Sequence, residues 1–149
     1  MNFPTPVFDA NSGADKSFGD LPEWDLTDLY ASDDAAELKR DLDWLEDACR
    51  SFAADYEGKL AEIDAAGLLE YVLRNEKING IAGRIMSYAG LRYYQLTTDA
   101  ERAKFLSDAQ EKITNYTTPL VFFTLEINRI DDAALDALFD GNTDLARYK

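Results

Sequence analysis

The stretch DAAELKRDLDWLEDACRSFAADYEG, residues 34–58, decides the fold because its apolar residues recur four and three positions apart. An α-helix has 3.6 residues per turn, so this spacing places them along one side of a helix. The stripe consists of Leu38, Leu42, Leu45, Cys49, Phe52 and Tyr56. Residues 32–34 offer capping oxygens before the helix, and Gly58 offers a stop after it. The sequence therefore predicts a helix from about Asp34 to about Glu57 whose stripe, with the only cysteine, is buried.

A second long helix is predicted from about Ala65, after the capping residue Asp64, to about Gln95. Its apolar residues at helical spacing are Leu69, Leu73, Ile78, Ile81, Ile85, Tyr88 and Leu91. Its interior glycines are Gly80, Gly83 and Gly90. Each costs about 1 kcal/mol relative to Ala inside a helix. We therefore expect them to permit close contact with a neighbouring helix.

A third helix has the clearest start, in Thr98-Asp99-Ala100-Glu101, where a Thr cap followed three residues later by Glu forms a capping box. Its apolar face consists of Phe105, Leu106, Ala109 and Ile113. Pro119 must break or kink this helix because proline lacks an amide hydrogen and clashes with the preceding turn. A fresh helix then carries Leu120, Phe122, Phe123, Leu125 and Ile127. We expect these five to cover more of the helix circumference than one neighbour can bury.

The two ends of the chain differ from this helical middle. Residues 1–20 are rich in Pro, Gly, Asn, Ser and Asp and predict an extended or disordered leader. Residues 21–30, LPEWDLTDLY, carry more apolar surface than a linker needs, so we expect them to be pinned against the helices. A last short helix is predicted over 132–139, and the chain reaches Lys149 without a helix stop, as a segment of a longer protein would. No segment alternates like a strand, so the predicted class is all-α, an antiparallel array of long helices.

The composition excludes several kinds of chemistry. The 149 residues include no His and one Cys, whereas most zinc hydrolases need imidazole ligands and most Ser or Cys nucleophiles need an imidazole base. Net charge is −14, and residues 20–64 alone hold 15 acidic and 4 basic side chains. Such a field repels phosphate backbones and anionic membranes, so neither nucleic acid nor a membrane is an expected partner. The lone cysteine favours a reducing, cytoplasmic compartment.

Two acidic groups are candidate cation sites. Residues 140–144, Asp-Gly-Asn-Thr-Asp, space oxygen ligands as a calcium loop does, but Leu145 stands where that loop needs glycine. A helix-terminating turn is the favoured interpretation. The acidic face of the first helix consists of Asp41, Asp43, Glu46 and Asp47. Exposed carboxylates at such spacing usually stay hydrated, so we predict no metal, cofactor or catalytic residue in the chain.

One further group combines aromatic rings with guanidinium groups. Its members are Arg84, Tyr88, Arg92, Tyr93 and Tyr94. Such side chains suit a groove that recognises peptides. A packed helix face with Arg side chains that extend to solvent explains the same residues. Both interpretations stay open from the sequence alone.

Several of these segments resemble the N-terminal domain of the oligoendopeptidase F-type zinc metallopeptidases. LPEWDLTDLY, residues 21–30, is similar to the beginning of that domain and is followed directly by the acidic helix. Residues 87–93, SYAGLRY, precede Thr97-Thr98-Asp99 and are similar to the family's Tyr-Ala-x-Leu-x-Tyr element before a Thr-Thr-Asp turn. An aromatic-rich helix that ends in Leu125-Glu126 and the segment INRIDD, residues 127–132, extend the resemblance over residues 21–149.

The resemblance implies a helical region that forms part of one wall of a deep substrate channel and is inactive alone. In the family a separate peptidase domain carries His-Glu-x-x-His and a downstream Glu ligand, and the motif Glu is the general base on zinc-bound water. None of these residues lies in this chain, so no catalytic role is transferred to it. For the full-length protein the resemblance implies zinc, an oligopeptide substrate and a C-terminal peptidase domain.

A stand-alone acidic adaptor is the alternative from a different functional class. It would bind a protein partner through an exposed groove. A His-Glu-x-x-His motif in the coding sequence after Lys149 would favour the peptidase, and a stop codon with no peptidase elsewhere would favour the adaptor. In either case we expect the apolar face after Pro119 to promote self-association.

Overall fold

The computed structural model describes residues 23–149, and these form three long and two short α-helices. The long ones are α1 (Ala36–Tyr56), α2 (Ala65–Gln95) and α3 (Ala100–Thr117), and the short ones are α4 (Phe122–Ile127) and α5 (Asp132–Asp140). The 3-10 helices are Leu60–Glu62, Thr118–Val121 and Thr143–Tyr148. No strand occurs over 23–149, which confirms the all-α class. The predicted leader, residues 1–20, lies outside the described residues.

The long helices lie side by side, and consecutive ones run in opposite directions. The start of α1 meets the later half of α2, where Arg84 Nη1 lies 2.9 Å from Glu37 Oε1. The end of α1 meets the first half of α2, where Arg74 Nη1 lies 2.9 Å from Asp55 Oδ2. α3 then returns along α2. This arrangement brings the N-terminal segment, the end of α2 and the start of α3 to one end of the array.

The predicted stripe of α1 is buried between α2 and α3. Four of its members are almost fully buried, namely Leu38, Leu45, Cys49 and Phe52. Leu42 and Tyr56 are half-buried and pack against the same core. Burial also raises the pKa of the Cys49 thiol, because the thiolate loses its hydration there. The prediction that this cysteine belongs to the core is confirmed.

An aromatic cluster closes the other end of the array. Phe52 lies at its centre, with its ring centroid 4.6 Å from that of Tyr71, 4.9 Å from Tyr56 and 6.4 Å from Phe122. Phe123 stacks on Tyr71 at 4.5 Å. α4 therefore packs against both α1 and α2 after the break at Pro119.

Contact with two helices explains why the apolar residues after Pro119 are better covered than expected. Phe122 is buried. Leu120, Phe123 and Ile127 are half-buried, and of the five only Leu125 is exposed, at 57%. Two neighbours share the burial, which agrees with the expectation that one could not cover all five residues.

The helix ends are partly as predicted. Asp64 caps α2 by accepting from Gly67 N at 2.7 Å, and Gly58 ends the first helical segment with φ +77°. The predicted cap of α1 is wrong, since its N-cap is Ala35 and no side chain bonds there. The Thr98 cap of α3 is also wrong. Asp99 takes that role. Its carboxylate accepts from Glu101 N at 2.9 Å, the amide that Thr98 was expected to cap.

The predictions for the packing of α2 need two corrections. A Cβ atom added at Gly80 or Gly83 would meet no heavy atom within 4 Å, and one at Gly90 would meet only the Tyr94 ring at 3.9 Å. These glycines therefore do not mark a close helix contact within the described part of the chain. Leu73 is exposed while Leu68 is buried, so the first half of α2 is rotated relative to the predicted stripe. Over residues 23–149, no helix has both the length and the apolar character needed to cross a membrane.

Candidate functional site

Residues 23–35 form an N-terminal strap that lies against α1 and α2. Asp25 Oδ1 accepts from Thr27 N at 2.9 Å and from Thr27 Oγ1 at 2.7 Å. These bonds lower the pKa of the Asp25 carboxyl group, so it is ionised at neutral pH. Leu29 N and Tyr30 N both donate to Leu26 O, which closes a turn and directs Tyr30 into the helices. The expectation that this segment is pinned to the helical body is confirmed for the residues from Glu23 onward.

Tyr30 anchors the strap between the two helices. Its side chain is buried, and its hydroxyl donates to Asp41 Oδ2 at 2.6 Å. The guanidinium carbon of Arg84 lies 4.4 Å from the centre of its ring, and the ring of Tyr88 meets it edge-on at 5.5 Å. Burial, and then the hydrogen bond to Asp41, raise the pKa of Tyr30 well above its ordinary range. The Tyr30 hydroxyl therefore stays protonated at any physiological pH and keeps donating to Asp41.

Asp33 is the second anchor. Its Oδ1 accepts from the Tyr88 hydroxyl at 2.9 Å and from Arg92 Nε at 3.1 Å. Burial, reinforced by this bond to Asp33, raises the pKa of Tyr88 to about 12. Asp33, one of the three residues predicted to cap α1, is thus committed to α2 instead.

The five predicted site residues divide into two sets. Arg84, Tyr88 and Arg92 come together under the strap and hold it through Tyr30 and Asp33. Tyr93 and Tyr94 lie outside that network, with their ring centroids 5.5 Å apart. Tyr93 is half-buried, whereas Tyr94 is 64% exposed. Tyr94 is therefore accessible to a peptide from solvent, whereas the side chain of Tyr88 is not.

A cleft of about 220 Å³ lies between the strap and α2. Trp24 forms one wall and is 56% exposed. Its carbonyl oxygen accepts from Gln95 Nε2 at 2.8 Å, and Gln95 Oε1 accepts in turn from Arg102 Nη1 at 3.4 Å. The cleft is thereby fixed to both α2 and α3. Its lining combines the apolar side chains of Trp24 and Leu26 with polar groups that include Asp25, and it has room for about one side chain.

The candidate calcium loop is occupied by internal contacts. Asn142 Oδ1 accepts from Asp144 N at 2.9 Å, as in a turn. Lys149 Nζ lies 3.0 Å from Asp140 Oδ1 and 3.3 Å from Asp136 Oδ1. α5 ends here with Gly141 as its C-cap, which confirms the interpretation as a helix-terminating turn.

The acidic face of α1 is likewise divided among internal partners. Asp41 accepts from Tyr30, and Glu46 and Asp47 both pair with Arg50, at 2.8 and 3.1 Å. Asp43 is exposed. Over residues 23–149, no group of three or more His, Cys, Asp or Glu side chains is placed to hold a metal ion.

The packing role of one residue could not be predicted from the sequence. Glu126 accepts from Gly58 N at 2.7 Å and from Leu60 N at 3.4 Å, which fixes α4 to the turn that follows α1. It also lines a cleft of about 420 Å³ with Arg129 and Ile130. The partners are more than sixty residues apart in the chain, and from the sequence Glu126 stood out only as the end of the aromatic-rich helix.

Comparison with protein-family models gave no match, and comparison with the curated proteins and with the solved structures gave none either. The resemblance to the oligoendopeptidases therefore rests on the sequence segments quoted above.

Asp33→Ala is expected to lower the free energy of unfolding by about 1–2 kcal/mol, because the Tyr88 hydroxyl and Arg92 both lose their acceptor. Chemical denaturation followed by circular dichroism measures the change. Asp34→Ala is the matched control, since that carboxylate is exposed and accepts only from Ser32 among the described side chains. Equal losses in the two variants would contradict the role assigned to Asp33.

Proposed function

We propose that the chain is the N-terminal helical region of a cytoplasmic, oligoendopeptidase F-type zinc metalloendopeptidase. In this proposal it forms part of the wall of the channel that receives oligopeptides, and the full-length protein supplies the chemistry from its peptidase domain. One observation carries the proposal. The two segments that carry the resemblance, residues 21–30 (described from Glu23 onward) and 87–93, pack against each other through their described residues.

The contacts between these segments are specific. The rings of Tyr30 and Tyr88 meet edge-on at 5.5 Å. Just beyond the second segment, Gln95 Nε2 donates to the carbonyl oxygen of Trp24 at 2.8 Å. Arg92 binds Asp33, which follows shortly after the first segment, at 3.1 Å. The two segments therefore lie at one end of the helical array and form one continuous part of its surface, as two parts of a single channel wall would.

The side chains present here fit a role in binding rather than in chemistry. The chain has no His, and its one thiol is buried. Zinc, bound by a His-Glu-x-x-His domain of the full-length protein, would supply the activated water. The residues of this chain would hold the strap in place and present exposed apolar groups, above all Trp24 and Tyr94, to a peptide.

The test is to express the complete reading frame beside residues 1–149 alone. We expect the complete protein to contain about one zinc per molecule and to cleave a quenched fluorescent oligopeptide in a chelator-sensitive manner. Residues 1–149 alone are expected to do neither, since zinc prefers nitrogen and sulfur donors and only carboxylates are accessible here. A complete protein without zinc-dependent cleavage would refute the proposal, as would chelator-sensitive cleavage by the short chain.

The adaptor alternative is favoured by the exposed pair Val121 and Leu125, four residues apart on the same side of the α4 region. Exposed apolar residues of this kind promote association with a partner or with a second copy. Sedimentation and dye binding of residues 1–149 measure that tendency. Dye binding that disappears on co-expression with the downstream part of the reading frame favours the peptidase, and dye binding that persists favours the adaptor.

A further inference from the structure

We propose that the cleft between the strap and α2 binds an arginine or lysine side chain of a partner peptide. Trp24 would form the aromatic wall and Asp25 the counter-charge. This site does not depend on the peptidase assignment. It applies equally if the chain is an adaptor.

The first argument comes from cation–π contacts elsewhere in the molecule, in which a cationic side chain lies over an aromatic ring. Arg84 lies over the ring of Tyr30, with its guanidinium carbon 4.4 Å from the ring centre. Lys77 Nζ lies 4.7 Å from the ring centre of Trp44. Trp24 is more exposed than either ring, yet no cation covers it among residues 23–149. A cation over a Trp face is attracted by the ring quadrupole, so the exposed part of the Trp24 ring can make the same kind of contact with a cation from a partner.

The second argument is the local charge. The strap, residues 23–35, contains five acidic residues and no Lys or Arg. Glu23, Asp25 and Asp28 are exposed. Arg92 is the one cation among the described residues that line the cleft, and it is already bound by Asp33 at 3.1 Å. The field at the cleft is therefore negative and attracts a cationic group while it repels a carboxylate.

The third argument is size and shape. A cleft of about 220 Å³ admits one long side chain and not a folded segment. Lys and Arg bury their methylene stems on apolar surface while the charged end stays hydrated, which suits walls formed by Leu26 and Trp24. Arginine should bind better than lysine because its guanidinium is planar, stacks on aromatic rings and is more weakly hydrated.

The test uses fluorescence anisotropy with residues 1–149 and a labelled peptide with blocked ends, in which Arg residues alternate with Gly and Ser. A peptide with Glu at the Arg positions is the charge control. We expect saturable binding of the Arg peptide that weakens as salt is added, and no binding of the Glu peptide. Trp24→Ala and Asp25→Asn should each weaken binding about five- to tenfold. The amide oxygen introduced by Asp25→Asn can still accept from Thr27, so the turn of the strap is kept.

Two controls separate the cleft from the general negative field. Asp43→Asn removes the same charge from an exposed position on α1, and Leu73→Ala removes an exposed apolar group on α2. Both should leave affinity within about twofold. Equal weakening by Asp43→Asn and Asp25→Asn, or no saturable binding at low salt, would overturn the proposal. If Trp24→Ala does not fold, Trp24→Leu decides instead, because it keeps apolar bulk and loses the aromatic face. Zinc content and peptide cleavage, which test the peptidase assignment, are independent readouts.

Discussion

Replacing Leu45 with Asp is expected to lower the free energy of unfolding by about 4 kcal/mol or more. Leu45 is fully buried at the middle of α1, in the core shared with α2. An ionised carboxylate at this position would lose its hydration and gain no cationic partner in an apolar surrounding. Small domains are stable by only about 5–15 kcal/mol, so a large share of the molecules would be unfolded at equilibrium.

Urea denaturation followed by far-ultraviolet circular dichroism measures this loss, with two graded comparisons. Leu42→Asp should cost less because Leu42 is half-buried and its substitute can reach water. Asp43→Asn, at an exposed position, should change stability by less than about 0.5 kcal/mol. If Asp43→Asn were as damaging as Leu45→Asp, the face of α1 assigned to the core would be the wrong one.

Raising the pH from about 10 to about 12 is expected to unfold the chain cooperatively. Burial raises the pKa of Tyr30, Tyr71 and Tyr88 above the ordinary value of 10.0, because it disfavours the phenolate. Unfolded tyrosines release their protons near pH 10, whereas these three retain them to higher pH. The unfolded state binds fewer protons in this window, so stability is complete below about pH 10 and falls as the pH rises. For Tyr88, with a pKa of about 12, the loss amounts to about 3 kcal/mol.

Circular dichroism and tyrosinate absorbance recorded together across this pH range test the prediction. The two signals should change in one transition for the buried tyrosines. Tyr71→Phe should move the transition to higher pH, because it removes a buried ionisable hydroxyl. Tyr94→Phe, at an exposed ring, should leave the midpoint where it is. Equal midpoints for wild type and Tyr71→Phe would show that phenol ionisation does not drive the unfolding.

Local signals predicted the helices well where the determining residues are neighbours in sequence. The bounds of α2 follow from the Asp64 cap and the end of the pattern at Gln95, and both were correct. The role of Asp33, one of three predicted capping residues of α1, could not be predicted because its partners Tyr88 and Arg92 lie more than fifty residues further on. For Asp33, a helix cap worth about 1 kcal/mol is replaced by a charge-assisted hydrogen bond from the buried phenol of Tyr88.

Only part of the network under the strap was predicted from the sequence. Arg84, Tyr88 and Arg92 stand out from the helical spacing of aromatic and cationic residues. Their partners Tyr30 and Asp33 belong to a segment whose sequence shows only that it is too apolar for a linker. Which acid meets which phenol depends on how α1 and α2 cross, and that is a property of packed side chains rather than of periodicity.

The anchoring of the strap also has a consequence for the order in which the chain can be completed on the ribosome. Trp24 and Asp33 leave the ribosome well before Gln95 and Arg92, from which they are separated by 71 and 59 residues in their two bonds. At about 5–20 residues per second, translation needs several seconds to supply the missing partners. During that interval the strap lacks its bonding partners on α2. Its five carboxylates keep it hydrated and apart from other nascent chains until α2 has emerged.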